Sequence, residues 1–203
     1  MLSNRKGRLM LDLLSTESVR AFEGQLKGTL IRPGDADYDD ARRVWNGVID
    51  KHPALIARCA TVQDVVAAIN FARENKLVVA VRGGGHNVAG YGTCDDGLVI
   101  DLSLMKGIAV HPASRRVRVQ GGATWANVDA TTQAFGLATP GGKVSKTGIA
   151  GLTLGGGFGW LPNKYGLACD NLVAAQVVTA DGRVVHTSAT AHPELLWGLR
   201  GGG

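Results

Sequence analysis

A run of three glycines that ends in a histidine and an asparagine, Arg82-Gly83-Gly84-Gly85-His86-Asn87, constrains this chain more than any other segment. It follows directly on residues 77–81, an apolar segment with the character of a strand. Because glycine has no Cβ, the backbone N–H groups of such a loop can approach a phosphate closely. The histidine places a nucleophilic nitrogen beside whatever the loop holds. The motif therefore predicts a bound cofactor.

The other glycines extend this prediction along the chain. Of the 29 glycines, 24 follow Arg82, and 13 of these lie in groups at 121–122, 141–142, 148–159 and 201–203. Glycine turns that recur between short apolar strands indicate one long ligand that passes several loops. Any single glycine pair is equally explained as a tight turn, so that reading stays open for each pair by itself.

Two common glycine-rich phosphate sites do not fit. The dinucleotide fingerprint G-x-G-x-x-G opens a helix directly after a strand, whereas Gly85 is followed by His86-Asn87 and then Val88-Ala89-Gly90-Tyr91-Gly92, which does not favour a helix. The P-loop needs Ser or Thr after its lysine, but Gly142-Lys143 is followed by Val144. Both nucleotide-binding classes are excluded.

The predicted order of elements is α+β without a regular βαβ repeat. An amphipathic lead-in covers residues 4–26, and the compact domain is expected to begin near residue 37, where an acidic turn can cap a helix near 41–45. Thr61 and Asp64 form a capping-box-like pair that starts a helix reaching Asn75. Strands are expected at 77–81, 98–102, 108–110, 117–120, 172–180 and 183–187.

Two local signals complete this outline. Thr124 is placed to cap a helix over 124–135, and Gly136 is placed for the left-handed turn at its C-terminal end. Asp181-Gly182 predicts a hairpin with a type I′ turn, which requires positive φ at both central residues.

Cysteine and histidine usage argues against a metal site or a disulfide framework. Cys59, Cys94 and Cys169 are an odd number at wide spacing without a C-x-x-C pair. The five histidines lack the spacing that would place two on one helical face. We therefore expect no metal and ordinary buried thiols.

The charge pattern gives little support to a nucleic-acid partner. The formal net charge is +5 and the pI is about 9.3, but the largest basic group is only Arg115-Arg116 with Arg118. Asp12 interrupts the apolar residues 9–14, so neither a signal peptide nor a membrane span is indicated. We expect a cytoplasmic protein with no nucleic-acid or membrane partner.

The order of the motifs resembles the FAD-linked oxidases of the berberine-bridge-enzyme type, which belong to the vanillyl-alcohol oxidase/PCMH flavoprotein fold. The resemblance covers the chain from about residue 37 to residue 203. It is carried by residues 81–90, Gly121-Gly122-Ala123-Thr124, 147–159, Lys164-Tyr165-Gly166 and Asp170-Asn171.

The resemblance implies an α+β, PCMH-type FAD-binding domain of two subdomains with FAD extended between them. It divides the chain into a lead-in (1–36), a first subdomain (about 37–105) and a second (about 106–203). The residues it assigns to the cofactor are Arg82, Gly83, Gly84, Gly85, Asn87, Gly90, Gly121, Ala123, Gly141, Gly142, Thr147, Gly148, Gly151, Gly155, Gly156, Gly157, Tyr165, Asp170, Asn171 and Val178. For each of the later loops, a packed short helix or a turn is an equal alternative, and Tyr165 is explained equally by packing.

The resemblance also implies a covalent bond between His86 and the 8α-methyl group of the flavin. Many members add a second bond from a cysteine at the position that Val144 occupies here, and Cys169 lies too far along the chain to replace it. The sequence therefore predicts a single covalent bond, through His86.

The implied activity is that of a flavin oxidoreductase, which passes a hydride from a small organic substrate to the flavin and commonly returns to the oxidised state with dioxygen. The sequence stops at Leu199-Arg200-Gly201-Gly202-Gly203, in what resembles a family loop that leads into the rest of the protein. We therefore expect the substrate domain and the C-terminal segment to be absent, which leaves a flavin-binding module or an inactive remnant as the alternative. The residues assign no catalytic base, substrate or oligomeric state.

Overall fold

The protein is described by a computed structural model over residues 11–202, which form two compact units. The first comprises the described residues up to Leu104 together with Val178–Val184. The second comprises Met105–Val177 and the described residues from Val185 onward. The division between Leu104 and Met105 lies beside the predicted boundary at 105–106. Residues 4–10 of the predicted amphipathic lead-in lie outside the described part of the chain.

The first unit contains a four-stranded sheet and three helices. Its elements are α1 (Thr16–Gln25), β1 (Thr29–Ile31), α2 (Tyr38–Arg42), β2 (Leu55–Arg58), α3 (Val62–Glu74), β3 (Val79–Arg82) and β4 (Leu98–Asp101). The strand order in the sheet is β1-β2-β4-β3. Strand β1 is antiparallel to β2, whereas β2 and β3 both run parallel to β4. The central strands β2 and β4 are buried almost throughout, as expected for parallel strands.

This unit begins earlier in the chain than the predicted start at residue 37. Strand β1 is part of the sheet, and its Leu30 and Ile31 are buried. The fully buried carboxylate of Asp64 accepts hydrogen bonds from the backbone N–H groups of Lys27 (3.1 Å) and Gly28 (3.0 Å). A buried carboxylate needs such donors, so these residues belong to the folded unit.

One of the two helices predicted in the first unit is confirmed, and the bounds of the other differ from the prediction. Helix α3 has the predicted capping box between Thr61 and Asp64, which is confirmed. Helix α2 begins at Tyr38 and ends at Arg42, so the prediction of a helix reaching Trp45 was wrong. The chain turns extended at Arg43 (φ −67°, ψ 143°), and Trp45 lies on the connection that follows.

The elements that follow β4 in the chain are β5 (Ile108–His111), β6 (Arg116–Val119), α4 (Trp125–Gln133), α5 (Ile149–Leu154), α6 (Pro162–Tyr165), β7 (Ala174–Val178), β8 (Val184–Ser188) and α7 (Pro193–Gly198). Their strands form two two-stranded sheets, β5-β6 and β7-β8, and β5 pairs with β6 in antiparallel register. Thr124 and Asn127 form a capping box at the start of α4, and Gly136 has a φ of +64°, so both predictions about this helix are confirmed. With helices and strands in the described chain, the predicted α+β class is confirmed.

The turn between β7 and β8 is not of type I′. Gly182 has a φ of +81°, but Asp181 is not among the residues with positive φ. The N–H of Thr179 donates to the Arg183 carbonyl (2.9 Å) and the N–H of Gly182 to the Thr179 carbonyl (2.8 Å), which leaves a three-residue connection. Such a connection needs only one left-handed residue, at the glycine.

Membrane and metal features were also searched in residues 11–202. None of the helices there is long and apolar enough to cross a membrane. No three His, Cys, Asp or Glu side chains in this part of the chain come together as a metal-binding group.

Candidate functional site

The glycine loop follows β3 directly and needs glycine at two positions for conformational reasons. Gly85 and Gly90 have φ values of +69° and +78°, in the left-handed region that favours glycine. At Gly90 a Cβ would also lie 2.8 Å from the Ile49 side chain. The loop is thus shaped by its own glycines and by the segment that contains Ile49.

That segment, residues 41–51, is called the strap below, and it captures carbonyl groups of the glycine loop. The N–H of Trp45 donates to the Gly85 carbonyl (3.0 Å), and the Asn46 side-chain amide donates to the Val88 carbonyl (2.8 Å). The Lys51 ammonium group donates to the Gly90 carbonyl (3.3 Å). The loop's carbonyl oxygens are therefore turned toward the strap at three places.

The captured carbonyls determine where two N–H groups of the loop point. In a trans peptide the C=O of one residue and the N–H of the next point in opposite directions. The peptides that follow Gly85 and Val88 therefore direct the N–H groups of His86 and Ala89 away from the strap. A loop face that carries N–H groups is what a phosphate requires.

Arg82 supports this arrangement through its side chain. Its guanidinium group donates to both carboxylate oxygens of the buried Asp101, with Nη2 to Oδ2 at 2.7 Å and Nε to Oδ1 at 3.3 Å. Its Nη1 donates to the carbonyl of Ala41 and to that of Arg43 (3.2 Å). These hydrogen bonds hold the guanidinium group within the first unit, where it supports the loop and the strap.

His86 is half-buried and stacks on an aromatic ring of the strap. Its ring centroid lies 5.3 Å from that of Trp45, with 19° between the ring planes. Desolvation by burial lowers the pKa of His86 below the ordinary histidine value. This shift favours the neutral imidazole, the form whose nitrogen can act as a nucleophile.

In the second unit, hydrogen bonds bring two of the predicted segments side by side. The N–H of Ile149 donates to the Ala123 carbonyl (3.0 Å), and the N–H of Trp125 donates to the Thr147 carbonyl (3.0 Å). Gly148, paired by a β-bridge with Thr124, precedes α5 as its N-cap residue. Ala123, Thr147 and Gly148 are thus neighbours, as a shared role would require, and Gly121 lies two residues before Ala123.

The later glycines form two groups, those at which a Cβ would collide with other protein atoms and those at which it would not. A Cβ on Gly141 would lie 2.4 Å from the Trp125 ring, one on Gly142 2.6 Å from Leu152, and one on Gly157 2.4 Å from Ala168. At these three glycines the protein itself fills the space, so packing explains the residue type.

Gly151 faces open space, because a Cβ on it would have nothing within 4 Å. A Cβ on Gly155 or Gly156 would lie at an ordinary contact distance, 3.4 or 3.9 Å from the nearest atom, and Gly156 has a φ of +108°, which itself favours glycine. Gly151 lies inside α5, where glycine is less favourable than alanine, and its φ is not positive. Close approach of a ligand would explain this choice, whereas internal packing does not.

The remaining predicted residues hold turns together. The Asp170 carboxylate accepts the N–H of Leu167 (2.8 Å), and the Asn171 amide donates to the Tyr165 carbonyl (2.8 Å). The Tyr165 ring is half-exposed, with the Lys164 ammonium group 5.1 Å from its centroid. Val178, the last residue of β7, is grouped with the first unit and not with these turns.

Sequence reasoning missed the strap and Asp101 as parts of the site. Trp45 and Asn46 lie about forty residues from the loop that they contact, and no local motif connects them. Asp101 carried a weak signal, because Arg82 directly follows the predicted strand 77–81 and Asp101 lies next to the end of the predicted strand 98–102. If those strands are adjacent and parallel, their ends lie side by side.

Comparison with known proteins agrees with this geometry. Residues 53–188 match the FAD binding domain family. The chain is 42% identical over 178 residues to (R)-6-hydroxynicotine oxidase of Paenarthrobacter nicotinovorans, covering 88% of this chain and 39% of that protein.

Solved structures give the same assignment. 6-Hydroxy-D-nicotine oxidase of Arthrobacter nicotinovorans matches with a TM-score of 0.86 at 42% identity, over 88% of this chain and 39% of that one. A berberine-bridge-enzyme-like protein of Physcomitrella patens matches at 0.85 and 29% identity, over 90% and 40%. Glucooligosaccharide oxidase of Acremonium strictum, described with a 6-S-cysteinyl, 8α-N1-histidyl FAD, matches at 0.84 and 30%, over 92% and 40%.

The chain belongs to the FAD-binding domain family, within the PCMH-type, berberine-bridge-enzyme-like group of FAD-linked oxidoreductases. The resemblance, the PCMH-type fold and the FAD cofactor predicted from the sequence are confirmed. The chain spans about two-fifths of the length of these relatives.

Proposed function

We propose that this chain holds FAD through its glycine loop and carries it covalently through His86. The observation that carries the proposal is His86 itself. It is a desolvated histidine held in one orientation at the end of a glycine loop whose carbonyls are turned to the strap.

The loop amides would hold the pyrophosphate of FAD. Two negative phosphates need donors, and the loop offers the backbone N–H groups of His86 and Ala89 on the side away from the strap. The Arg82 guanidinium group is engaged with Asp101, so the binding does not depend on it as a direct clamp. Gly151, inside α5, leaves room for close approach of a ligand.

The imidazole of His86 would form the covalent bond to the flavin 8α carbon. One C–N bond forms, one hydrogen leaves the imidazole nitrogen and one leaves the 8α-methyl group, and the two electrons released reduce dioxygen to hydrogen peroxide. The lowered pKa of His86 favours this bond, because only the neutral ring has a free lone pair. Glucooligosaccharide oxidase, whose flavin has a histidyl link, supports the same chemistry here.

The bond through His86 would be the single covalent one. The flavin of glucooligosaccharide oxidase is also linked to a cysteine, whereas the position that the family resemblance assigns to such a cysteine is occupied here by the half-exposed Val144. Valine has no nucleophilic atom. Cys169 is buried and makes a weak contact with Asp170 in the turn after α6.

In the whole protein, bound FAD would accept a hydride from a small organic substrate and return to its oxidised state with dioxygen. Relatives named as nicotine and carbohydrate oxidases support a small-molecule substrate. No specific observation favours the alternative of an inactive flavin-binding module. The cytoplasmic location stays a prediction.

The test is acid precipitation of the purified full chain after incubation with FAD. A yellow pellet is expected for the native chain, whereas His86→Ala should release all flavin into the supernatant. His111→Ala is the matched control, because His111 lies in β5 of the other unit, and its pellet should stay yellow. A colourless native pellet, or flavin retained after His86→Ala, would contradict the proposal.

A further inference from the structure

We propose that Trp45 is a positioning residue that orients the His86 imidazole for covalent attachment of FAD. The inference rests on the proposed role of His86 as the attachment residue. It deepens that proposal by naming a residue, far away in the sequence, that acts through His86.

The stacking geometry is the first observation. The Trp45 and His86 rings are nearly parallel, with a centroid distance of 5.3 Å and an interplanar angle of 19°. Trp45 is 63% exposed, so core packing does not explain its position. The indole presents one face to the imidazole and much of the remainder to the surroundings.

The second observation is that hydrogen bonds hold the strap in place on both sides of Trp45. Before it, Arg82 donates to the carbonyls of Ala41 and Arg43. At Trp45 itself the backbone N–H donates to Gly85, and directly after it the Asn46 amide donates to Val88. An exposed tryptophan on a freely moving loop could not orient a neighbour. The strap that carries Trp45, however, is held by hydrogen bonds before, at and directly after this residue.

The chemical consequence follows from the shape of imidazole. Both ring nitrogens carry their lone pair or hydrogen in the plane of the ring, so attack on carbon occurs along the ring edge. A stacked indole covers one face and restricts the tilt of the plane, which limits the directions in which the nitrogens point. Orientation of this kind speeds bond formation without adding a reacting group.

The experiment compares Trp45→Phe with Trp45→Leu in the full chain. Apoprotein of each variant is mixed with FAD, and the flavin retained after acid precipitation is followed over time. We expect the leucine variant to attach FAD roughly 3- to 10-fold more slowly, which is the range that the loss of one aromatic pair supplies. The phenylalanine variant, which keeps a flat face, should stay within about 2-fold of the native rate.

Two controls separate positioning from folding or binding. FAD bound before denaturation, measured by absorbance, should be equal in all variants. Trp197→Leu removes a comparably exposed indole on α7 and should leave the attachment rate unchanged.

The outcomes are distinguishable. A native chain that never retains flavin overturns the role of His86, and this inference with it. Native-like attachment in Trp45→Leu overturns the positioning role alone, as does an equal slowing in Trp45→Phe and Trp45→Leu. A second measurement needs only the native chain: the ring protons of His86 should resonate upfield of those of His111, and their coincidence would overturn the stacked arrangement even if the leucine variant does not fold.

Discussion

Arg82 and Asp101 are register partners at the ends of the parallel strands β3 and β4, and their side chains form a two-point ion pair. Arg58, the register partner of Asp101 on the other side, places its Nε 3.5 Å from Oδ2. One buried carboxylate thus joins three neighbouring strand ends. It does so at the residue where the glycine loop begins, so the position of His86 depends on it.

Asp101→Asn should destabilise the first unit strongly. Removal of one charge from a buried pair leaves the other uncompensated, which costs about 3–5 kcal/mol. The free energy of unfolding, measured with urea, checks this. Asp40→Asn breaks the exposed ion pair with Arg43 and should change stability by less than about 1 kcal/mol. Equal losses in the two variants would contradict the assigned importance of Asp101.

The contribution of Asp101 should disappear in acid. Burial raises the pKa of Asp101, but the hydrogen bond and charge of Arg82, together with the Ser103 donors, outweigh it and lower the pKa. A lowered folded pKa stabilises the protein above the unfolded value of about 3.9, and the benefit is lost as the pH falls through the folded value. The stability difference between the native chain and Asp101→Asn should therefore be full at neutral pH and shrink below pH about 4. A difference that grows in acid would refute this.

Gly151→Ala and Gly141→Ala should have opposite effects on the apoprotein. Alanine at Gly151 meets open space inside α5 and should leave stability unchanged or raise it by about 0.5–1 kcal/mol. Alanine at Gly141 would collide with the Trp125 ring and should cost about 1–3 kcal/mol. Thermal unfolding without FAD distinguishes them.

The same Gly151→Ala variant should bind FAD more weakly, because its new methyl group occupies the space left for the ligand. A fluorescence titration with FAD measures this. Gly198→Ala is the control, since Gly198 also faces open space but lies in α7, away from the predicted cofactor residues. Unchanged FAD affinity in Gly151→Ala would remove Gly151 from the site.

Val144→Cys should introduce a second covalent bond to the flavin. The family resemblance assigns a linking cysteine to this position, and Val144 is exposed enough for a thiol there to react. In a His86→Ala background, Val144→Cys should restore flavin to the acid-precipitated pellet. Ser145→Cys, at the exposed neighbouring position, should not. Retention in both double variants would indicate non-specific reaction of a surface thiol.

Attachment of FAD should depend on pH through the neutral imidazole. Because burial lowers the pKa of His86, the attachment rate should be independent of pH above the ordinary histidine value of about 6.5 and should fall only in more acidic solution. Initial rates of covalent incorporation across this range give the midpoint. A midpoint above the ordinary histidine value would contradict the desolvated environment.

Much of the local structure could be predicted from the sequence because its causes are local. The capping boxes at Thr61 and Thr124 and the left-handed Gly136 depend on residues within a few positions. The end of α2 and the turn at Asp181 were predicted wrongly. At both places the local sequence is compatible with two conformations, and the chain adopts the one that was not predicted.

The sequence by itself determined the family and the cofactor and predicted His86 as the attachment residue, because the glycine spacing and the histidine that follows are properties of consecutive residues. Only the tertiary structure decided that Arg82 faces Asp101, that the strap turns the loop's carbonyls, and that Trp45 stacks on His86. These contacts join residues about twenty to forty positions apart. Their pairing follows from the register of parallel strands and from chain folding, which no local pattern encodes.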